Sequence, residues 1–126
     1  MTRASALLAV FVMAAAVEAH HGSADYEVGR EVTVSGTVTE WKWSSPHTWV
    51  LLRVTRPNGS AEDWRGEGPP LQWAEARGWS KATLKPGDTV RLVMYPSRRE
   101  AHAGLVKRIE RAGGDLIVSR PWLDGR

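Results

Sequence analysis

The chain contains no cysteine, and its formal net charge is only +3 over 126 residues. The lack of cysteine excludes disulfides, thiolate zinc sites, thiol catalysis and a lipoprotein anchor. The small basic excess does not by itself indicate a polyanionic partner. No apolar run after Val17 approaches the roughly 20 residues that a membrane-spanning helix needs. These absences leave a single small domain that must fold on its apolar core alone.

Residues 1–19 have the outline of a secretory signal peptide. Arg3 precedes an apolar run that ends at Val17, and Val17 and Ala19 are small residues at the −3 and −1 positions of a cleavage site. We therefore expect the mature chain, residues 20–126, to be one soluble domain that is periplasmic or secreted and does not span a membrane.

The first half of that domain is predicted to contain two strands, separated by an interruption at Ser44-Ser45-Pro46-His47. Residues 31–43 alternate apolar and polar side chains, and the apolar phase changes between Gly36 and Glu40, which predicts a bulge or bend. Residues 48–55 form a second apolar strand. Asn58-Gly59 then predicts a hairpin; Asn58-Gly59-Ser60 also fits a glycosylation sequon, but the hairpin needs no further assumption.

The second half is predicted to contain one short helix between strands. Pro69 and Pro70 are expected to open the helix, and Gly78 to end it in a left-handed conformation. The remaining predicted elements are a strand over residues 61–67, a strand after the Pro86-Gly87-Asp88 turn, a hairpin about Gly113-Gly114 and a tail over residues 120–126.

This order of elements indicates the fold class. Three strands, a short helix and two or three further strands, with a long bent first strand, match a small five-stranded Greek-key barrel of the OB type. The sequence therefore predicts an all-β protein with one short helix and an OB-like barrel. An open antiparallel sheet is the competing architecture.

Several motifs resemble the bacterial domain-of-unknown-function family 6152, whose members are small exported proteins with an OB-like barrel. The resemblance rests on "HHG", "GTVTEWKWSSPHTWVLL", the spacing of Trp64 and Glu67 before the helix, and "LKPGDTV". The family usually has Asn before Pro-His, whereas this chain has Ser45 there. The positions that match are His20, His21, Gly36, Trp43, Pro46, His47, Trp64, Glu67, Gly78, Trp79 and residues 85–88. The resemblance implies a fold but no activity.

The paired histidines after the predicted cleavage site suggest a metal site. Cleavage after Ala19 would give His20 a free α-amine beside its own imidazole, and one more imidazole would complete three nitrogen ligands suited to copper(II) rather than zinc. His21, His47 and His102 are the candidates for that third ligand. We favour His47, because Pro46 stiffens the loop before it; His21 is then a supporting or alternative ligand.

The cleavage position decides this chemistry, and other positions remain open. A cut after Glu18 would place His21 third in the chain, an arrangement that binds copper or nickel through backbone amides. A cut after Ala16 would remove both chelates. The histidine pair is also consistent with a solvated terminus that binds no metal.

Glu67 and the tryptophans have two interpretations each. Glu67 precedes the predicted helix, so it either interacts with the helix amino terminus or orients a ligand imidazole through its second ring nitrogen.

Trp43 and Trp64 belong to a set on the first three strands that would form a stacking face. The alternative is that tryptophans fill the barrel and its ends. Export argues against nucleic acid as the ligand. The tryptophans on these strands are Trp41, Trp43, Trp49 and Trp64, and the helix region adds Trp73 and Trp79.

Enzymatic activity is not indicated. No hydroxyl nucleophile has a recognisable histidine and acid context, and Glu62 and Asp63 are adjacent in a strand, so they point to opposite faces. Oxygen activation by copper is kept only as a minor alternative.

The leading hypothesis is a copper carrier, buffer or sensor. The second is an interaction module that binds an envelope protein or an oligomeric ligand on a tryptophan-lined face without metal.

Overall fold

The computed structural model describes residues 23–112 and 116–119. The predicted signal peptide, His20, His21, the Gly113-Gly114 turn and residues 120–126 lie outside these ranges. Among the described residues, no helix is long and apolar enough to cross a membrane. The elements are a three-ten turn at Ser23–Asp25, β1 (Val32–Lys42), β2 (His47–Thr55), β3 (Ala61–Pro70), α1 (Leu71–Ala76), β4 (Thr89–Pro96), β5 (Ala103–Arg111) and β6 (Leu116–Ser119).

Five of the strands close into a barrel. The sheet order is β3-β2-β1-β4-β5-β6, and a parallel pairing of β3 with β5 joins the two sides. In that pairing Arg65 to Glu67 lie opposite Ala103 to Leu105. β6 pairs with the second half of β5, beyond the closure. The prediction of an OB-like barrel with one short helix is confirmed, and the open antiparallel sheet is wrong.

β1 bends as the change of apolar phase predicts. Its first half pairs with β4 and its second half with β2. The register with β2 shifts between Val38 and Glu40. Val34 and Val38 before the shift and Trp41 after it are all buried. A bulge adds one residue and so restores the inward direction of the side chains after the bend. This lets one strand serve both halves of the barrel.

The barrel interior is filled by side chains from alternate strand positions. In β2 the residues Thr48, Val50, Leu52 and Val54 are buried, whereas the residues between them are partly or fully exposed. This two-residue period is that of a strand with one face on a core. The core consists of Val34, Val38, Trp41, Val50, Leu52, Val54, Leu84, Val90, Leu92, Met94, Val106 and Ile109.

The turns agree with the sequence, with one correction. Gly59 (φ +84°) and Gly78 (φ +80°) adopt the left-handed conformation expected for the hairpin and the helix stop. Pro69 and Pro70, however, do not open the helix. They end β3, Pro70 is extended at φ −55° and ψ 140°, and the helix begins at Leu71. The physical reason is that a residue before proline avoids the helical region, so Pro69 is held extended by Pro70.

A cluster of tryptophans attaches the helix region to the barrel. The Trp41 ring centroid lies 5.9 Å from that of Trp43 and 6.1 Å from that of Trp79. Trp73 of α1 meets Trp79 at 6.3 Å in an edge-to-face arrangement. The Trp41 indole N–H also donates to the Ser80 carbonyl at 3.1 Å. These rings therefore act in packing, as one of the two interpretations of the tryptophans expects.

Candidate functional site

The chain before β1 forms a strap on the outside of the barrel, which we call the N-terminal strap (residues 23–28). Tyr26 forms a β-bridge with Ser97, and its ring packs with Tyr95 and Leu105 in a small apolar cluster that is separate from the barrel core. The Glu27 N–H donates to the Pro96 carbonyl at 2.9 Å. The strap thus covers the outer face of the barrel at the end of β4 and the beginning of β5.

Glu67 lies beneath this strap. It is in β3, opposite Trp49 of β2 and Leu105 of β5, and it is only 5% exposed. The Tyr26 hydroxyl donates to Glu67 Oε2. Burial, together with the neighbouring Glu67 carboxylate, raises the pKa of Tyr26 well above its usual value, so the phenol is protonated and available as a donor at neutral pH.

His47 faces the other oxygen of the same carboxylate. Its Nδ1 lies 3.6 Å from Glu67 Oε1 and 3.2 Å from the Gly68 carbonyl oxygen. A carbonyl can only accept a hydrogen bond, so Nδ1 carries the proton. In the neutral ring the lone pair is therefore on Nε2, which has no hydrogen-bond partner among residues 23–112 and 116–119. The side chain is 32% exposed, so solvent and ions reach it.

A bulge in β3 brings Glu67 and His47 together. Trp49 lies opposite Glu67, but His47 lies opposite Pro70, so β3 has one extra residue between these two pairs. Gly68 falls within that extra stretch. A Cβ at Gly68 would lie 2.4 Å from the Thr48 hydroxyl oxygen, so only glycine allows β3 to approach β2 this closely. Bulges of this kind redirect side chains next to functional sites.

The loop before His47 is held at both ends. The Leu71 N–H donates to the Pro46 carbonyl at 3.0 Å, which ties the loop to the beginning of α1. The Ser44 hydroxyl donates to the His47 carbonyl at 2.8 Å. The imidazole is thus carried by a fixed backbone rather than by an unsupported turn, as a preformed ligand requires.

A cavity of about 320 Å³ adjoins Glu67 under the strap. Tyr26, Trp49 and Arg65 contribute to its wall. The Arg65 guanidinium lies 4.8 Å from the centre of the Trp49 ring and pairs with Glu100 at 3.2 Å. The cavity is large enough for a small ligand, although its charged side chains already have partners within the protein.

A second histidine–glutamate pair lies elsewhere on the barrel. His102 Nε2 is 3.6 Å from Glu62 Oε2, and the imidazole lies 5.0 Å from the Trp64 ring. Glu62 Oε2 also accepts hydrogen bonds from Arg56 at 2.7 Å and from the Trp64 indole at 2.9 Å. These two hydrogen bonds, with that from Arg56 the stronger, lower the pKa of Glu62 to about 2. This carboxylate is already neutralised by a guanidinium.

The structure brings together two of the residues that the sequence singled out, His47 and Glu67. Trp43 lies in the tryptophan cluster and Trp64 beside His102, and both pack against the barrel core. Within the described ranges no group of three histidine, aspartate or glutamate side chains is placed to hold a metal. The other predicted ligands, His20 and His21, lie outside those ranges.

Sequence reasoning missed the contribution of Tyr26 and of the Gly68 carbonyl. Tyr26 is separated from Glu67 by 41 residues, and a single tyrosine after "SAD" has no pattern that identifies its partner. A backbone carbonyl has no sequence signature at all. The only available signal was the pair of glycines around Glu67, which is typical of close backbone packing.

The chain was compared with known protein families and proteins. Residues 7–107 match a family of unknown function, DUF6152. The chain belongs to this family. The matched range includes the strap, His47 and Glu67, and the predicted membership of this family is confirmed. Neither the curated proteins nor the solved structures compared with the chain contain a match.

Proposed function

We propose that this DUF6152 protein is an exported copper-binding protein, a carrier, buffer or sensor, in which His47 and the cleaved amino terminus at His20 supply the nitrogen ligands and His21 supports them. One observation carries the proposal. His47 Nδ1 is held by the Gly68 carbonyl at 3.2 Å beside the buried Glu67 carboxylate, so Nε2 presents its lone pair from a partly exposed ring. Histidine ligands in metal sites are generally oriented in this way.

The length of chain between the two parts of the site supports the same proposal. Tyr26 contacts Glu67, and His20 is six residues earlier in the sequence. An extended chain spans at most about 3.6 Å per residue, so His20 is within roughly 20 Å of Tyr26 in any conformation. A strap anchored beside Glu67 therefore sets an upper limit on the distance between the proposed ligands.

The donor set favours copper(II). An α-amine with an ordinary pKa of about 8 loses its proton readily to a metal, and amine and imidazole nitrogens suit the tetragonal geometry of copper(II). The Glu67 carboxylate beside Nδ1 would make the ring a stronger donor. The arrangement around His47 is that of an oriented imidazole ligand, so binding is the proposed activity.

The second candidate is an interaction module for an envelope protein or an oligomeric ligand. The cavity beside Trp49 favours it, because this tryptophan lies on the outer face and not in the core cluster. The packing of Trp41, Trp43 and Trp64 against the core counts against a continuous aromatic face. We therefore place copper binding first.

The test begins with the mature protein. The secreted form is purified, its intact mass is measured, and copper(II) is titrated at micromolar concentrations. We expect a chain that begins at His20 and binds one copper ion. A different first residue, or a failure to bind, contradicts the proposal.

A matched control separates the α-amine from the side chains. Three alanines added before His20 move the amine away from both histidines. A shorter extension is unsuitable, because one or two added residues place a histidine third in the chain and create a different copper motif. We expect the extended form to lose most of its affinity. Equal affinity would show that the amino terminus is not a ligand.

A further inference from the structure

We infer that Tyr26 is a positioning residue of the His47 site: its hydroxyl fixes the Glu67 carboxylate, whose charge beside Nδ1 reinforces the hydrogen bond from His47 to the Gly68 carbonyl. The inference deepens the proposed function, and its copper measurement rests on that function. It concerns a residue that does not touch the imidazole and acts only through the carboxylate between them.

The two carboxylate oxygens of Glu67 have different neighbours. Oε2 accepts the hydrogen bond from Tyr26, and Oε1 lies 3.6 Å from His47 Nδ1. A buried carboxylate must be hydrogen-bonded, because an unsatisfied buried charge is strongly destabilising. With Oε2 fixed by the phenol, the carboxylate plane is set and Oε1 faces the histidine. Without the phenol, the carboxylate is free to turn towards other donors or water.

Tyr26 is itself held in a fixed position. It is 8% exposed, it is bridged to Ser97, and its ring packs on Tyr95 and Leu105. A group that orients a ligand needs this kind of support, since a side chain on an unsupported segment would not define a direction.

Tyr26 also connects the two parts of the proposed ligand set, which are His47 and the amino-terminal histidines. Tyr26 sets His47 through Glu67, and it anchors the strap that continues backwards to His21 and His20. Loss of the hydroxyl removes the first function and leaves the backbone contacts of the strap, whereas loss of the Arg99–Asp25 ion pair weakens the strap and leaves the bridge between Tyr26 and Ser97 in place. The two effects can therefore be separated.

The experiment compares Tyr26→Phe with the wild type in two measurements. In the metal-free protein, nitrogen chemical shifts of labelled histidine report the His47 tautomer. We expect the Nδ1–H form in the wild type. In Tyr26→Phe the Gly68 carbonyl still accepts from Nδ1 at 3.2 Å but the carboxylate no longer faces it, so we expect a mixture of tautomers in which Nδ1–H is reduced yet remains the larger share. In the copper titration we expect affinity to fall about tenfold, the lower end of the 10- to 100-fold loss that follows removal of a group supporting a metal ligand.

Arg99→Ala is the control for the strap. It removes the ion pair between Arg99 and Asp25 at 3.0 Å, which holds the same segment without contacting Glu67. We expect the His47 tautomer to stay Nδ1–H in this variant. If Arg99→Ala reproduces the tautomer mixture, or if Tyr26→Phe changes neither measurement, the inference is wrong.

Glu67→Gln serves as the second variant if Tyr26→Phe does not fold. It keeps the size of the side chain but removes the charge that faces Nδ1. A change in the His47 tautomer supports the step from Glu67 to His47, and an unchanged Nδ1–H tautomer overturns that step and with it the relay from Tyr26. If the wild type binds no copper, the proposed function fails, while the tautomer measurement in the metal-free protein still decides whether Tyr26 acts through Glu67.

Discussion

His47 with Glu67 and His102 with Glu62 are two histidine–glutamate pairs at the same 3.6 Å separation, built in opposite ways. In the first, the ring uses Nδ1 and the carboxylate is almost fully buried against a neutral phenol. In the second, the ring uses Nε2, and the carboxylate is bonded to the Arg56 guanidinium.

The difference shows why a short distance alone does not identify a site. The charge of Glu62 is matched by that of Arg56 and is therefore not available to act on His102 or on a ligand. The pair of His102 and Glu62 contributes to the packing of the barrel surface. The hydrogen-bond partner of Glu67 is neutral, so its charge is available to act on His47. The first pair is suited to orienting an imidazole, and the second to packing His102 against Trp64.

The largest expected effect comes from the backbone that positions the first pair. In Gly68→Ala the new Cβ would meet the Thr48 hydroxyl at 2.4 Å, so β3 must move away from β2. We expect the free energy of unfolding to fall by about 3 kcal/mol, as overpacking can cost this much. Thermal unfolding measures it.

Gly29→Ala is the matched control, because a Cβ added at Gly29 would meet no atom within 4 Å. It should leave stability almost unchanged. Equal losses in the two variants would show that the close approach at Gly68 is unimportant.

Replacement of each glutamate by alanine should lower the free energy of unfolding by different amounts in the two pairs. Glu67→Ala leaves the buried Tyr26 hydroxyl without its acceptor, and we expect a loss of about 2 kcal/mol, as for other unsatisfied buried groups. Glu62→Ala breaks contacts that are open to water, so its loss should be smaller. Chemical denaturation of both variants checks the order, and a larger loss for Glu62→Ala would reverse our account of the two sites.

The backbone of His102 offers a smaller test. His102 has φ +54°, a left-handed conformation that costs a residue with a Cβ roughly 1–2 kcal/mol. His102→Gly should therefore be more stable than His102→Ala by about 1 kcal/mol. Both lose the contact with Trp64, so their difference reports the backbone alone. Equal unfolding midpoints would mean that the turn relaxes without cost.

The pH dependence gives the smallest expected effect. The pKa of Glu62 falls from 4.5 to about 2 on folding, chiefly because of Arg56. A lowered folded-state pKa contributes stability above pH 4.5 that is lost as the pH falls towards 2. Glu62→Gln should therefore be destabilised relative to wild type near pH 6, and the gap should close on acidification. A gap that widens below pH 4 would contradict the sign.

Much of the fold follows from local patterns in the sequence. The phase change in β1 predicted the bend, and Gly59 and Gly78 predicted their turns, because each depends on neighbouring residues only. The predicted start of the helix was wrong, because the two prolines are compatible both with the last residues of a strand and with the first residues of a helix.

The candidate site was predictable only in part. His47 and Glu67 were recognisable from the sequence as single residues able to bind or orient a ligand. Their contact, however, depends on a bulge in β3 and on the pairing of two strands. The Tyr26 hydrogen bond spans 41 residues and depends on the strap docking outside the barrel. Contacts of this range are set by tertiary packing, which no local pattern encodes.

The most direct test of the account is a copper(II) titration of the mature protein with His47→Ala and His102→Ala as a matched pair. Each variant removes one imidazole that lies 3.6 Å from a glutamate. We predict that His47→Ala weakens copper binding at least 100-fold, as expected for loss of one ligand nitrogen from a three-nitrogen site, at roughly 1.4 kcal/mol per tenfold change. His102→Ala should bind as the wild type does. Equal binding by wild type and His47→Ala, or a loss confined to His102→Ala, would contradict the central claim.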